Sequence, residues 1–454
     1  MNGKMHLNSY KVLFVIRSPQ VFHYYESIYL ALCSRGYKVR LLFDKNWGDN
    51  EYVGDVEHHF SWAVSPKKSF QKRILLFFRE LLSWRRYLLI KNQSSFYADR
   101  WLKYVSPKFR TLIKIFPFLK YFIKTEFVGN LLKSFEKNTV PDAGIVADIK
   151  KYSPDLVLAG PICYRQSSAD LEYLKAARFL KIPTVAPVMT WDTLTTKGIF
   201  HVIPDLLLVW NEAQVEEAIE HHGIKRENIK IIGAPFFDKW FTPLNAASRQ
   251  FREAKLFNRV NPYILYLGSS DNIAPDERWL IKEIRETLDN SEFKNTQIIF
   301  RPHPANFKVY QDFDLSGILI SPKNGEMPKT KSAFKDFYNM LNNSYAVASI
   351  NTSGMVDAIL ARKPVISLER KEFEKTQSLA QHYKHMRESN ALYVTKNPEE
   401  FLATFTKLFA GEDSKKQARE NFIKNFIRPC GLDRSAGEMI VLEIENLLKN
   451  YAKK

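Results

Sequence analysis

The sequence predicts an α/β fold in two doubly wound domains. Short apolar runs alternate with helical patterns through both halves of the chain. The alternation restarts after a polar stretch at 243–262, which reads as an inter-domain connection. At 454 residues the chain also suits two ordinary domains better than one. The predicted boundaries are 1–245, with an insertion at 66–140, then 260–430, and a last helix in 431–454.

In the first half, KVLFVI at 11–16 reads as a buried strand, followed by a turn at Arg17-Ser18-Pro19-Gln20. A helix is expected from about Phe22 to Arg35, stopped by Gly36, with a strand over 39–43. After the insertion come a strand at 155–159, a helix across 169–180 and a strand at 183–189. A polar, Thr-rich loop at 190–198 follows. The run 206–210 is a strand, Asn211 an N-cap, 212–222 a helix stopped by Gly223, and 229–232 a strand.

The second half restarts with the strand 263–267 and the loop Gly268-Ser269-Ser270. A helix is expected over 275–289. Strands follow at 297–300, 317–320, 345–350, 364–368 and 391–394. Helices are expected near 332–342, 354–361, 397–410, 413–427 and 436–451. Two turns carry chemistry. The strand QIIF ends in Arg301-Pro302-His303-Pro304, where two prolines stiffen the turn just past the carboxyl end of a strand. That edge is where open α/β sheets bind ligands. Arg and His there suit a phosphorylated ligand, most simply a nucleotide. At Asn351-Thr352-Ser353-Gly354 a small polar turn opens a helix, and the first N–H groups of a helix attract anions. An ordinary N-cap uses the same residue types.

Net charge is +18, unevenly spread. Residues 66–140 hold seventeen Lys/Arg against four Asp/Glu, a net +13, and sixteen of the 62 aromatic residues. Basic residues alternate with Phe, Leu, Trp and Tyr at roughly helical spacing. The pattern suits helices lying on an anionic membrane, with Arg79, Arg85 and Arg86 among the headgroup contacts. The alternative is helices packed on the domain with a solvated basic face. No nucleic-acid motif is present, so nucleic acid is not expected as a partner. Three widely spaced cysteines and the absence of metal-ligand spacing predict a reducing compartment and no metal or cofactor. The location expected is cytoplasmic, peripheral on the inner face of the cell membrane.

The phosphate-type turns in the second half carry a resemblance. Arg301-Pro302-His303-Pro304 resembles the His-Pro turn of CDP-glycerol glycerophosphotransferases, CMP-sugar-using capsule enzymes and related GT-B transferases. Asn351-Thr352-Ser353-Gly354-Met355-Val356-Asp357-Ala358 resembles the donor-site helix of the same group. Residues 209–238 resemble the last strand–helix–strand of their N-terminal domain. The resemblance implies the GT-B fold: two Rossmann-like domains facing a cleft, here with a basic helical insertion in the first. It implies that His303 and Arg301 contact the donor phosphates. Thr352, Ser353 and Gly354 would hold a phosphate, Asp357 the ribose, and Gly268 and Ser269 the donor's other side. Many such enzymes carry a Glu in the loop before the helix; here that stretch is Ile350-Asn351-Thr352.

An inverting member of that group takes its base from the first domain. Asp192 and His23, each past a strand end, are the candidates. The function expected is a glycosyltransferase moving a sugar, or a glycerophosphate-like group, from a nucleotide-activated donor. The acceptor would be a membrane-associated, lipid-linked or polysaccharide saccharide in cell-surface polysaccharide synthesis. Two alternatives stand beside it: a non-hydrolysing nucleotide-sugar 2-epimerase, and a catalytically silent GT-B scaffold that binds lipid or a partner.

Overall fold

A computed structural model describes residues 10–47, 60–90, 94–164, 168–242, 263–314 and 316–451. The expected connection at 243–262 lies outside them. The chain forms two compact units, residues 1–241 with 426–454, and residues 242–425.

The first unit holds seven parallel strands: β1 (Lys11–Ile16), β2 (Lys38–Phe43), β3 (Phe60–Trp62), β4 (Leu156–Gly160), β5 (Thr184–Pro187), β6 (Leu206–Val209) and β7 (Ile229–Ile231). Their order is β3-β2-β1-β4-β5-β6-β7. Alternation along β1 explains why it is apolar throughout. Val12, Phe14 and Ile16 enter one core, while Leu13 and Val15 enter the core on the opposite face. Between β1 and β2 the chain makes a 3₁₀ turn at Pro19–Tyr24 before α1 (Glu26–Ser34). Five helices then form the insertion: α2 (Phe70–Leu89), α3 (Ser95–Leu102), α4 (Pro107–Ile115), α5 (Leu119–Lys124) and α6 (Glu126–Asn138). The unit continues with α7 (Ala143–Tyr152), α8 (Ala169–Phe179), α9 (Thr193–Thr196) and α10 (Glu212–His222).

The second unit has six parallel strands: β8 (Tyr263–Leu267), β9 (Gln297–Arg301), β10 (Ile318–Ile320), β11 (Ala346–Ser349), β12 (Val365–Leu368) and β13 (Tyr393–Thr395). Their order is β10-β9-β8-β11-β12-β13. Its helices are α11 (Arg278–Asp289), α12 (Lys331–Asn343), α13 (Gly354–Leu360), α14 (Gln381–Glu388), α15 (Pro398–Phe409) and α16 (Lys416–Phe422). The last helix, α17 (Ala436–Tyr451), belongs to the first unit and packs on α1. Asp238 accepts from the N–H groups of Ala436 and Gly437 at 3.0 Å, so a distant carboxylate caps it. Both units are Rossmann-like, and together they make the GT-B fold.

The insertion corrects one expectation. Arg79, Arg85 and Arg86 of α2 do not form an outward basic face. Arg79 is 1% exposed and donates to Glu136 at 2.7 and 2.8 Å and to Glu172 at 2.6 Å. Lys175 joins Glu136 at 2.8 Å, and Lys72 pairs with Glu172. Burial by itself raises a carboxyl pKa, yet Arg79 overcomes it and holds Glu136 at about 2. Arg85 donates to the carbonyls of Ile123, Lys124 and Thr125, at the carboxyl end of α5. Arg86 bonds the carbonyls of Leu194 and Lys197. The acids that draw Arg79 inward stand 57 and 93 residues away, beyond any local pattern. Among the described residues no helix is long and apolar enough to cross a membrane.

Candidate functional site

Each sheet reverses its winding at one point, between β1 and β4 in the first unit and between β8 and β11 in the second. Ligands of open α/β sheets bind at the carboxyl ends of strands flanking such a point. In the second unit those ends carry Gly268 and Ser269, and Asn351 to Gly354. The next strand, β9, delivers Arg301 and His303.

Small residues let these loops close on one another. Gly268 donates its N–H to the Arg301 carbonyl at 2.9 Å. A Cβ there would stand 3.1 Å from the His303 nitrogen. Asn351 N–H reaches the Ser269 hydroxyl at 3.5 Å, and Asn351 Nδ2 donates to the Thr376 carbonyl at 2.8 Å. A Cβ on Gly354 would meet Leu267 Cδ1 at 2.8 Å, so this position also tolerates little bulk. Ser353 occupies the N-cap of α13 without a side-chain cap bond, and Asp357 is buried in its first turn.

His303 Nδ1 accepts the Ala305 N–H at 3.1 Å, which leaves Nε2 to carry the proton of a neutral ring. Burial lowers its pKa, with Asp271 opposing, so the neutral donor form dominates. Arg301 is partly spent on the protein. It donates to the Glu326 carbonyl at 2.6 Å and lies 4.9 Å over the Phe337 ring. The sequence reading missed Glu277. This fully buried carboxyl accepts from the Ser269 N–H at 2.6 Å and the Tyr266 hydroxyl at 2.7 Å. Burial pushes it up to about 7 against those two donors. It anchors the loop after β8.

The corresponding edge of the first unit is richer in ionisable groups. Arg17, after β1, stacks 3.8 Å over Trp47 and 5.1 Å over Tyr164. Lys197 lies 5.4 Å over the same Tyr164 ring and 3.2 Å from Asp192. Asp192 also accepts from Thr190 at 2.6 Å and Thr196 at 2.7 Å, so its own loop fixes its orientation. His23 sits in the 3₁₀ turn, 4.1 Å from the Tyr24 ring and 5.6 Å from Phe236. Asp170 was not singled out from the sequence. It lies on α8, fully buried, and burial pushes it up to about 7; Ser168 and Arg17 oppose the shift and Asp44 adds to it. A lone Asp on a helix carries no local signal of this. Its neighbours come from the ends of β1 and β2. Among the described residues no group of His, Cys, Asp and Glu is placed to hold a metal ion.

No family model and no curated protein matches the sequence. Solved structures match it along both units. UDP-GlcNAc 2-epimerase from Methanocaldococcus jannaschii is 15% identical, with 96% of this chain and 99% of that one covered and a TM-score of 0.54. UDP-GlcNAc 2-epimerase from Neisseria meningitidis, bound to UDP-GlcNAc, is 12% identical, with 96% and 100% covered and a TM-score of 0.51. A protein described as a glycosyltransferase from Rickettsia africae is 12% identical, with 98% and 100% covered and a TM-score of 0.50. At such identities the likeness establishes the fold. It also overturns the transferase expectation, because repeated matches are nucleotide-sugar epimerases.

Proposed function

We propose that this chain epimerises a nucleotide-activated sugar. The observation that carries the reading is the match of its fold, through both units, to UDP-GlcNAc 2-epimerases. The second unit's edge supports a nucleotide diphosphate there. His303 supplies a neutral N–H donor, and Gly268 and Gly354 stand where a Cβ would crowd the neighbouring loop or strand. In this reading Arg301 and His303 face the phosphates, Thr352, Ser353 and Gly354 the turn of α13, Asp357 the ribose, and Gly268 and Ser269 the remaining side.

Epimerisation removes a proton from one face of a carbon and returns one to the other face. Atoms and oxidation state are unchanged, so no acceptor and no net redox partner is needed. It does need groups that carry protons. Asp192 and His23 are assigned that role in the first unit. The Thr190 and Thr196 hydroxyls would keep the Asp192 carboxylate aimed.

Incubation with UDP-GlcNAc and other nucleotide sugars in D₂O tests this. An epimeric nucleotide sugar carrying deuterium at the inverted carbon is expected. Asp192→Asn should slow turnover by ~10²–10⁴, the usual contribution of a general base, with UDP affinity unchanged. Tight UDP-sugar binding with neither epimer nor exchange would leave a silent scaffold. Sugar transfer to an added acceptor with release of nucleotide would sink the reading.

A further inference from the structure

We propose that the outer surface of α4, α5 and α6 docks this protein on an anionic lipid bilayer. These helices bury one set of apolar side chains, Ile113, Ile123, Val128 and Leu132, against the rest of the unit. They present a second set to solvent. Ile115, Phe118, Tyr121, Phe122, Phe127 and Leu131 are all exposed, with Tyr121 at 75% and Phe127 at 71%. A stretch this short that shows so many large apolar side chains marks an interaction surface.

The charges around it choose the partner. Lys108, Lys114, Lys120, Lys133 and Lys137 are exposed along the same helices. None of the five is in an ion pair among the described residues. The acids within 107–137 are Glu136, buried with Arg79 and Lys175, and Glu126, which lies 3.5 Å from Arg85. Exposed aromatics set among unpaired lysines match a headgroup layer: rings enter the acyl boundary and ammonium groups meet lipid phosphates. A protein interface core is depleted of lysine, so this composition fits lipid better than a second copy of the chain. These helices are also too short to span, so the contact is peripheral.

The buried network beneath gives the surface a rigid seat. Arg85 packs on Gly129 of α6, where a Cβ would lie 2.7 Å from its guanidinium carbon, and bonds the last carbonyls of α5. Helices α5 and α6 are thus held against α2, whose Arg79, Arg85 and Arg86 point inward and leave lipid contact to the lysines.

The test uses the full chain without nucleotide, so it is independent of the epimerase reading. Sedimentation with phosphatidylcholine vesicles is compared with vesicles containing phosphatidylglycerol. Binding to the anionic vesicles is expected, with release in high salt. Lys114→Glu/Lys120→Glu/Lys133→Glu should lower partition on the order of 100-fold, from about fivefold per basic residue. Tyr121→Ser/Phe122→Ser/Phe127→Ser should lower it comparably and make the residual binding fully salt-sensitive. All six positions are exposed, and unchanged circular dichroism checks that the variants fold. Equal binding to neutral and anionic vesicles, or none to either, overturns the proposal. So does a wild-type dimer that the aromatic variant converts to monomer without vesicle binding by either protein.

Discussion

The two sheets share their winding and differ in what they carry at the carboxyl edge. Around the β1–β4 switch the first unit gathers Arg17, Asp44, Tyr164, Asp170, Asp192 and Lys197. Around the β8–β11 switch the second unit places Gly268, Ser269, Asn351 and Gly354 beside Arg301 and His303, with two buried carboxyls, Asp357 and Glu277, the latter committed to a loop N–H. One topology therefore hosts two chemistries. An edge of ionisable side chains can hold and move protons. An edge of small residues brings backbone donors close to a ligand. The first unit also bears the five-helix insertion, fastened through Glu172 on α8; nothing comparable interrupts the described residues of the second.

The largest expected effect breaks that fastening. Arg79→Ala leaves Glu136 and Glu172 buried with only Lys72 and Lys175 as counter-charges. Removing one partner of a buried pair costs about 3–5 kcal/mol. Hydrogen exchange should show lost protection across α2, α6 and α8, with the peptides of the second unit unchanged. Equal loss in both units would erase the distinction between them.

That network also marks the limit of what was legible in the chain. Where neighbours in sequence decide the outcome, the reading and the structure coincide. The strand 263–267 lies as expected, and the helix 212–222 is bounded by Asn211, which caps the Gln214 N–H, and by Gly223 at φ +66°. The helix expected from Phe22 begins instead as a 3₁₀ turn with Pro19 at its first position, and α1 starts at Glu26. The helix expected over 413–427 stops at Phe422 and loosens into a π turn at Ile423–Ile427. Several elements passed unread, among them the one-turn α9 inside the stretch read as a loop at 190–198. Strand β3 is three residues long, and α7, capped by Asp142, lies in the stretch between the insertion and β4. The turns at 268–269, 301–303 and 351–354 are legible because small or rigid residues follow apolar runs. Asp170, Glu277 and the inward arginines are not, since their surroundings are assembled from distant segments.

The buried carboxyls sharpen the comparison through pH. Asp170 and Glu277 are both pushed up to about 7 by burial, one in each unit. Between their unfolded values near pH 4 and about pH 7 the folded state holds more protons than the unfolded chain. Stability is therefore greatest at the acid end and falls as pH rises through 7. Each group should remove roughly 2–3 kcal/mol between pH 5 and 8, about 1.4 kcal/mol per pH unit until it ionises. Asp170→Asn should flatten this loss in the first unit only. Glu277→Gln should flatten it in the second, at some cost in stability, because Gln cannot accept both the Ser269 N–H and the Tyr266 hydroxyl on two oxygens. Urea titrations at pH 5, 6.5 and 8, read by exchange in each unit, check both. A slope that survives Asp170→Asn would remove Asp170 from the proton-holding edge.

The smallest effect separates nucleotide binding from proton transfer. The Ala305 N–H on Nδ1 makes His303 an Nε2–H donor, and burial keeps the ring neutral. His303→Ala deletes one donor to a charged phosphate, worth about 1.5–3 kcal/mol. The dissociation constant for UDP should rise on the order of 10- to 100-fold by calorimetry. Because burial lowers the pKa below its ordinary value, wild-type affinity should change little from pH 7 to 8, where the neutral ring predominates. His303→Asn retains a side-chain N–H and should recover part of the affinity, which a purely structural role would not predict. Asp192→Asn, in the other unit, should leave the UDP constant where it was. If the two variants weaken UDP equally, the edges do not divide the work. If His303→Ala binds UDP as the wild type does, the phosphate contact lies elsewhere on the β8–β11 edge.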